Sequence, residues 1–198
     1  MLERYVASEV KEICEKYKST GIVKTVNLTF SSNKFFKDFK RTINTDRRGE
    51  VGFVVRRSNG KFVMVRSKRY PKNTYRIPTG GINFYETAIN ALKREIAEEL
   101  GVEFRIYEFV GLVEYHITHK NETLKFYSYL FLVDEIGGEI LKDATENEIS
   151  GIREMDAQEL KVLTAEFTKN EFRWKDWSKF RLQLLEFFNS YLEQHYEK

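Results

Sequence analysis

Apolar positions in the first residues recur at helical spacing. Leu2, Val6, Val10, Ile13 and Tyr17 step by four, four, three and four, which predicts an amphipathic helix over 2–18, ended by Ser19-Thr20-Gly21. Residues 22–30 are rich in β-branched side chains and predict a strand. Residues 31–48 set Phe35, Phe36 and Phe39 among Lys34, Lys37, Lys40, Arg41, Arg47 and Arg48, and read best as a linker helix whose rings pack on the domain. EVGFVVRR and KFVMVRS then flank Ser58-Asn59-Gly60, and Asn-Gly between two apolar runs predicts a hairpin. A helix is predicted from Ala88 to Leu100. Strands follow over 103–117 and 124–136, with a turn at THKNET between them, and another near Ile149–Glu154. Short helices or turns are expected at Ala157–Leu163. Trp177, Phe180, Leu184, Phe188 and Tyr191 place a long amphipathic helix over 175–195. Strands on both sides of one central helix, closed by a terminal helix, predict an α/β sandwich.

Composition narrows this picture only a little. The chain has 198 residues and is 41% hydrophobic, enough for one sizeable core with additions. A main domain is expected over 49–198, preceded by a helix-strand extension over 1–48. The single cysteine, Cys14, cannot form an internal disulfide, which points to a reducing cytoplasm. No signal peptide or membrane-length apolar run is visible, so no membrane partner is expected.

The helix over 88–100 changes the reading. Thr87 is placed to cap its start and Gly101 to end it. Ile89, Leu92, Ile96 and Leu100 form its apolar face. Glu95, Glu98 and Glu99 gather on one flank, with Glu99 partly buried. Glu95 and Glu99 are a like-charge i,i+4 pair, which destabilises a helix unless a cation offsets it. A hard divalent ion with oxygen ligands is the natural candidate.

Upstream the spacing is equally fixed: Gly80, five residues, Glu86, seven residues, then Arg94-Glu95-Ile96-Ala97-Glu98-Glu99-Leu100-Gly101-Val102. This stretch resembles the signature of the Nudix hydrolases at every fixed position. The resemblance is strongest over 80–102 and extends over about 49–165. It implies an α/β (α+β) sandwich, a mixed β-sheet between helices, here with the extra N-terminal segment and a long C-terminal helix. It also implies hydrolysis of a diphosphate bond in a nucleoside diphosphate linked to another moiety, by water attack at phosphorus with Mg²⁺ or Mn²⁺. By the same resemblance Glu95, Glu98 and Glu99 hold metal and a carbonyl near Gly80 adds a ligand. Arg94 orients a box glutamate, and Glu86 supports the loop and helix. The general base is a box glutamate such as Glu98, or a later carboxylate, with Glu146 and Glu148 as candidates. Thr79 and Tyr85 stand where the commonest form of the signature is flanked by glycine.

Charge supplies a candidate for the substrate's seat. From Val51 to Tyr85 there is no Asp or Glu, but Arg56, Arg57, Lys61, Arg66, Lys68, Arg69, Lys72 and Arg76 are present. A basic wall beside a carboxylate cluster suits a metal-bound polyanion. Arg66 and Arg76, with Arg56, are the substrate-binding candidates. Arg56 and Arg57 cannot face the same way in a regular strand. His116, His119 and His195 have no metal-ligand spacing, and the first two read as polar edge residues. ADP-ribose, nucleotide sugars and nucleoside triphosphates all remain open as substrates. Two other readings are kept. One is a non-catalytic nucleotide sensor, disfavoured because every box glutamate is present. The other is hydrolysis at an RNA 5′ end through the basic 34–48 segment, although nucleic acid is disfavoured as a partner. The terminal helices could cap the cleft or build a homodimer.

Overall fold

A computed structural model describes residues 2–70, 74–145, 148–167 and 174–196. Seven strands form one mixed sheet in the order β1-β5-β6-β2-β3-β7, with β4 paired to β2 beside this path. In chain order β1 is Ile22–Thr29, β2 Gly49–Arg56, β3 Phe62–Ser67, β4 Thr79–Ile82, β5 Val102–His119, β6 Glu122–Gly138 and β7 Ile149–Met155. The helices are α1 (Leu2–Tyr17), α2 (Asn33–Thr45), α3 (Ala88–Glu99), α4 (Ala157–Phe167) and α5 (Lys175–Tyr196).

The pleat divides the core into two layers. Phe53, Tyr129 and Phe131 point with Val51 and Val55 toward α1 and α3, where Val6, Val10, Ile13, Leu92, Ile96 and Leu100 cover them. Val54, Leu130 and Leu132 point the other way, onto Phe36 of α2, Leu160 of α4 and Phe180, Leu184 and Phe188 of α5. β2 is therefore covered on both faces. This explains why its sequence runs apolar rather than alternating. It pairs parallel with β6 and antiparallel with β3 and β4.

The first 48 residues are woven into the same sheet. β1 pairs parallel with β5 along its whole length, from Ile22↔Gly111 to Thr29↔Thr118. The α2 segment is capped by Ser32, whose side chain accepts from the Phe35 amide. Asp176, at the start of α5, accepts from the backbone amides of Ser31 and Ser32. Phe35 and Phe39 pack partly buried against the core and Phe36 is fully enclosed, as a linker helix with inward rings requires. Three of its four basic residues are engaged: Lys34 and Arg41 pair with Asp38, and Lys40 with Glu122. Leu2, expected on the buried face of α1, is exposed. His119, expected at a polar edge, is buried, with Nδ1 at 2.8 Å from the Phe30 carbonyl oxygen and Phe36 packed on its ring.

Candidate active site

The box stretch folds as strand, loop and helix. Thr87 caps α3, its hydroxyl accepting from the Asn90 amide at 3.2 Å. Gly101 ends the helix at φ +66°, a left-handed conformation that favours glycine, and its amide donates to the Ile96 carbonyl. Leu92, Ile96 and Leu100 are fully buried, and each contributes about 1.5–3 kcal/mol by leaving water. That anchoring fixes the rotation of α3. Glu95 and Glu99, one turn apart, are carried inward to 8% and 4% exposure.

The floor beneath them is β4, whose Thr79 to Ile82 pair with Gly49 to Gly52 of β2. Close approach favours glycine at Gly80, where the neighbour is a buried carboxyl group, more than at Gly81, where it is the movable end of Arg47. A Cβ on Gly80 would stand 1.9 Å from Cδ of Glu95, and one on Gly81 would stand 2.8 Å from Cζ of Arg47.

Arg94 is the hub of the carboxylate cluster. Its Nε and Nη2 donate to the two oxygens of Glu86, each at 2.9 Å. Nη1 donates to Glu95 Oε1 at 2.8 Å and to Glu98 Oε2 at 3.0 Å, and Nη2 also reaches the Gly81 carbonyl at 2.8 Å. One guanidinium thus ties the loop carboxylate, two helix carboxylates and β4 into one unit. Its own pKa is pushed up, chiefly by Glu86, and the hydrogen bonds from Arg94 hold Glu86 below the usual carboxylate range. Glu86 also bends the loop back, accepting from the Asn83 amide at 3.2 Å.

The start of α3 is braced from the other side. Arg48 donates through Nη2 to the Glu86 carbonyl at 2.7 Å and to both oxygens of Glu9 on α1, at 2.9 and 3.0 Å. Glu9 accepts in turn from the Ala88 amide at 2.7 Å and from the Tyr129 hydroxyl at 2.7 Å.

Glu95 and Glu99 open onto a cavity of about 300 Å³. Gly80 and Gly81 line it, Glu148 stands across it, and Arg47, Arg69, Arg76 and Arg181 supply its basic wall. Arg69 faces Glu148 at 3.5 Å. A second cleft of similar volume, between α1 and α3, contains none of the box residues from Arg94 to Glu99. The bulky Phe84 and Tyr85 are exposed, turned into solvent.

The carboxylates present suit a hard divalent cation by donor chemistry. They supply oxygen only, two of them are buried as a like-charge pair, and Gly80 leaves room for the Glu95 carboxyl group. Among the described residues no group of three or more carboxylate, imidazole or thiol side chains is arranged to hold a metal ion. Glu98 is fastened to Arg94 beside the cavity rather than lining it.

The structure brings together Gly80, Glu86, Arg94, Glu95, Glu98 and Glu99, with Arg76 and Glu148 on the same cavity. Glu146 lies outside the described residues. Arg66 and Arg56 are not brought there. The Arg66 side chain lies over Gly151 of β7, where an added Cβ would meet its Nε at 2.7 Å. Arg56 is five residues along β2 from Val51, the partner of Gly80, or roughly 17 Å at strand rise. There it pairs with Asp134 and Tyr196 and lies over the Tyr107 ring. Arg57 pairs instead with Glu135 and Glu154, and Lys61 with Glu159. Much of the basic run between Val51 and Tyr85 is thus neutralised locally by later acidic residues. Arg47, Arg69 and Arg181 were not singled out for this site. Arg69 could have been suspected from its nearness to the box in sequence, but nothing marks Arg47 for this site, nor Arg181 within its amphipathic helix.

Comparison with known proteins places the family and the fold. The NUDIX domain family model matches residues 46–177. An RNA pyrophosphohydrolase of Ruthia magnifica is 32% identical over 84 residues, covering 38% of this chain and 46% of that protein. An 8-oxo-dGTP diphosphatase of Buchnera aphidicola is 33% identical over 67 residues, covering 34% of this chain and 54% of that protein. The chain spans about half the length of these curated relatives. Among solved structures, a NUDIX hydrolase from Nitrosomonas europaea superposes with a TM-score of 0.50 at 18% identity, covering 71% of this chain and 87% of that one, a likeness of fold.

Proposed function

This chain belongs to the Nudix family, and from that premise we propose that it is a divalent-metal-dependent pyrophosphohydrolase. Its substrate is a nucleoside diphosphate linked to another moiety: ADP-ribose, a nucleotide sugar or a nucleoside triphosphate. The observation that carries the reading is the Arg94 hub, which holds Glu86, Glu95 and Glu98 in one network while Glu95 and Glu99 open on a cavity walled by arginines. We assign the catalytic domain to 49–198, with 1–48 as an extension that braces it through Glu9. Cys14 is a free thiol, in keeping with a cytoplasmic setting.

In this reading Glu95, Glu98 and Glu99, with the carbonyl of Gly80, would hold Mg²⁺ or Mn²⁺. The bound ion would supply a water of lowered pKa and offset charge on the phosphates. Arg94 fixes Glu95 and Glu98 in register with Glu86, so their carboxyl groups are placed before substrate arrives. Glu98, or Glu148 across the cavity, accepts the proton of the attacking water. Arg76 is one cation on the cavity wall available to phosphate oxygens. A panel of nucleoside diphosphate derivatives and triphosphates, with nucleoside monophosphate and the other phosphate-containing products scored in Mg²⁺ and in EDTA, tests the reading. It fails if no compound turns over while one binds tightly, which would favour a sensor.

A second reading, hydrolysis at a triphosphorylated RNA 5′ end, is favoured by the names of several relatives and by Arg47 on the cavity wall. Arg48 cannot serve it directly, because it is buried against Glu9. RNA cleavage unaffected by Arg41→Ala and Arg47→Ala would count against this route.

A further inference from the structure

We propose that Arg76 and Arg181 form a seat for a phosphate group of the substrate, half of it supplied by the C-terminal helix. Arg181 lies beyond the matched family region, so the seat is an addition made by α5.

Arg76 is 4% exposed, and its polar partners are neutral. Nη1 donates to the Ile77 carbonyl and the Thr79 hydroxyl, each at 3.0 Å, and the buried Nε has no partner. Val65 and Arg76 exchange both backbone hydrogen bonds at 2.9 Å, which holds the residue on the cavity wall. Arg181 reaches the same cavity from α5. Its Nη1 donates to Glu50 Oε2 at 2.8 Å, and its buried Nε is also without a partner. The other oxygen of Glu50 accepts from Ser128, so that carboxylate is committed to Arg181.

Arg76 therefore stands beside a second buried guanidinium, and no carboxylate is hydrogen-bonded to Arg76 itself. Burial, and after it the charge of Arg181, holds Arg76 below the usual arginine range. A buried cation hydrogen-bonded only to neutral acceptors, with Glu50 and Glu99 near but not bonded to it, is costly unless an anion joins it. Two free N–H donors on neighbouring guanidinium groups match the oxygens of a phosphate.

The same wall argues against recognition of a base here. Tyr70 stacks on Trp177 at 4.6 Å between centroids and lies 5.6 Å from the Arg76 guanidinium. Its ring is thus engaged by Trp177 and Arg76. The cavity selects for phosphate charge, and the substrate is chosen here by its phosphates rather than its nucleobase. Identifying the anion as substrate rests on the pyrophosphohydrolase reading; the existence of the seat does not.

The test is titration calorimetry of the full chain with inorganic pyrophosphate in EDTA, where turnover plays no part. Binding is expected, weakened about 10- to 100-fold in Arg76→Met and partly kept in Arg76→Lys. Arg76→Met should melt no lower than the parent, because it removes an uncompensated buried charge. A merely structural arginine would show the reverse, a lower melting temperature with binding unchanged, and that result overturns the proposal. If Arg76→Met does not fold, hydrogen exchange on the parent decides. Pyrophosphate should protect the segments around 76–79 and 177–184, and protection confined to other segments overturns the seat. Binding without metal-dependent turnover of any nucleotide would leave the seat standing and remove the hydrolase reading. Turnover with no pyrophosphate binding at Arg76 would do the opposite.

Discussion

The Glu9–Arg48 pair is where the N-terminal extension grips the catalytic helix, and Glu9→Ala tests that grip. In the parent the Glu9 carboxylate accepts two bonds from Arg48, one from the Ala88 amide and one from Tyr129. The side chains of the pair are 7% and 3% exposed, so solvent cannot replace what is lost. Truncation leaves Arg48 as a buried cation held only by neutral groups, the Glu86 carbonyl and the Tyr5 ring. Breaking a buried pair from one side costs about 3–5 kcal/mol. At about 2–4 °C per kcal/mol for a chain of this size, the melting temperature should fall by roughly 6–20 °C. The opposite substitution supplies the control. Glu9→Leu with Arg48→Met removes both charges and should recover a large part of the loss, giving a coupling energy well outside additivity. Equilibrium urea unfolding of Glu9→Leu, Arg48→Met and the double variant measures this. A Glu9→Ala loss below about 1 kcal/mol, the range of exposed pairs, or strictly additive variants, would refute the account of α1 as a brace.

Two further outcomes follow from the site. Gly80→Ala drives a Cβ into the Glu95 carboxyl group; turnover in Mg²⁺ should drop by about 10²-fold or more, and unchanged kinetics would show that Glu95 need not rest on β4. Hydrogen bonding to Arg94 lowers the Glu86 pKa in the folded state, so the unfolded chain binds the proton more readily. The stability Glu86 contributes is therefore full above its unfolded value of about 4.3 and is lost as pH falls from there through the folded value; Glu86→Gln should flatten that acid limb of the urea midpoint.

The elements that could be read directly were those whose side chains carry a period. The helix over 88–100 ends as Thr87 and Gly101 require, and the Asn59-Gly60 turn joins β2 to β3 with Gly60 at φ +80°. α5 spans Lys175–Tyr196 where apolar steps placed it. β4 could not be read this way, because Thr79-Gly80-Gly81-Ile82 has too few side chains for any alternation. The box residues were legible because their spacing along one helix and its loop is local. The basic wall was not. Which arginine remains unneutralised depends on acidic residues far along the chain, such as Asp134 for Arg56, and on sheet neighbours that only topology brings together. Arg48 shows the same limit: among basic neighbours it reads as surface, yet it is a buried strut between α1 and the box loop.

The central claim is that the carboxylates gathered by Arg94 form a metal-dependent hydrolytic centre, and the most direct measurement is turnover by Glu98→Gln beside the parent. Glu98 is partly exposed, and its replacement keeps the side-chain shape, so the melting temperature should hardly move. Nucleoside monophosphate formation from the best substrate in Mg²⁺ should fall by about 10²–10⁴-fold and be abolished in the parent by EDTA. Equal turnover by the two proteins, or turnover that persists in EDTA, would contradict the account.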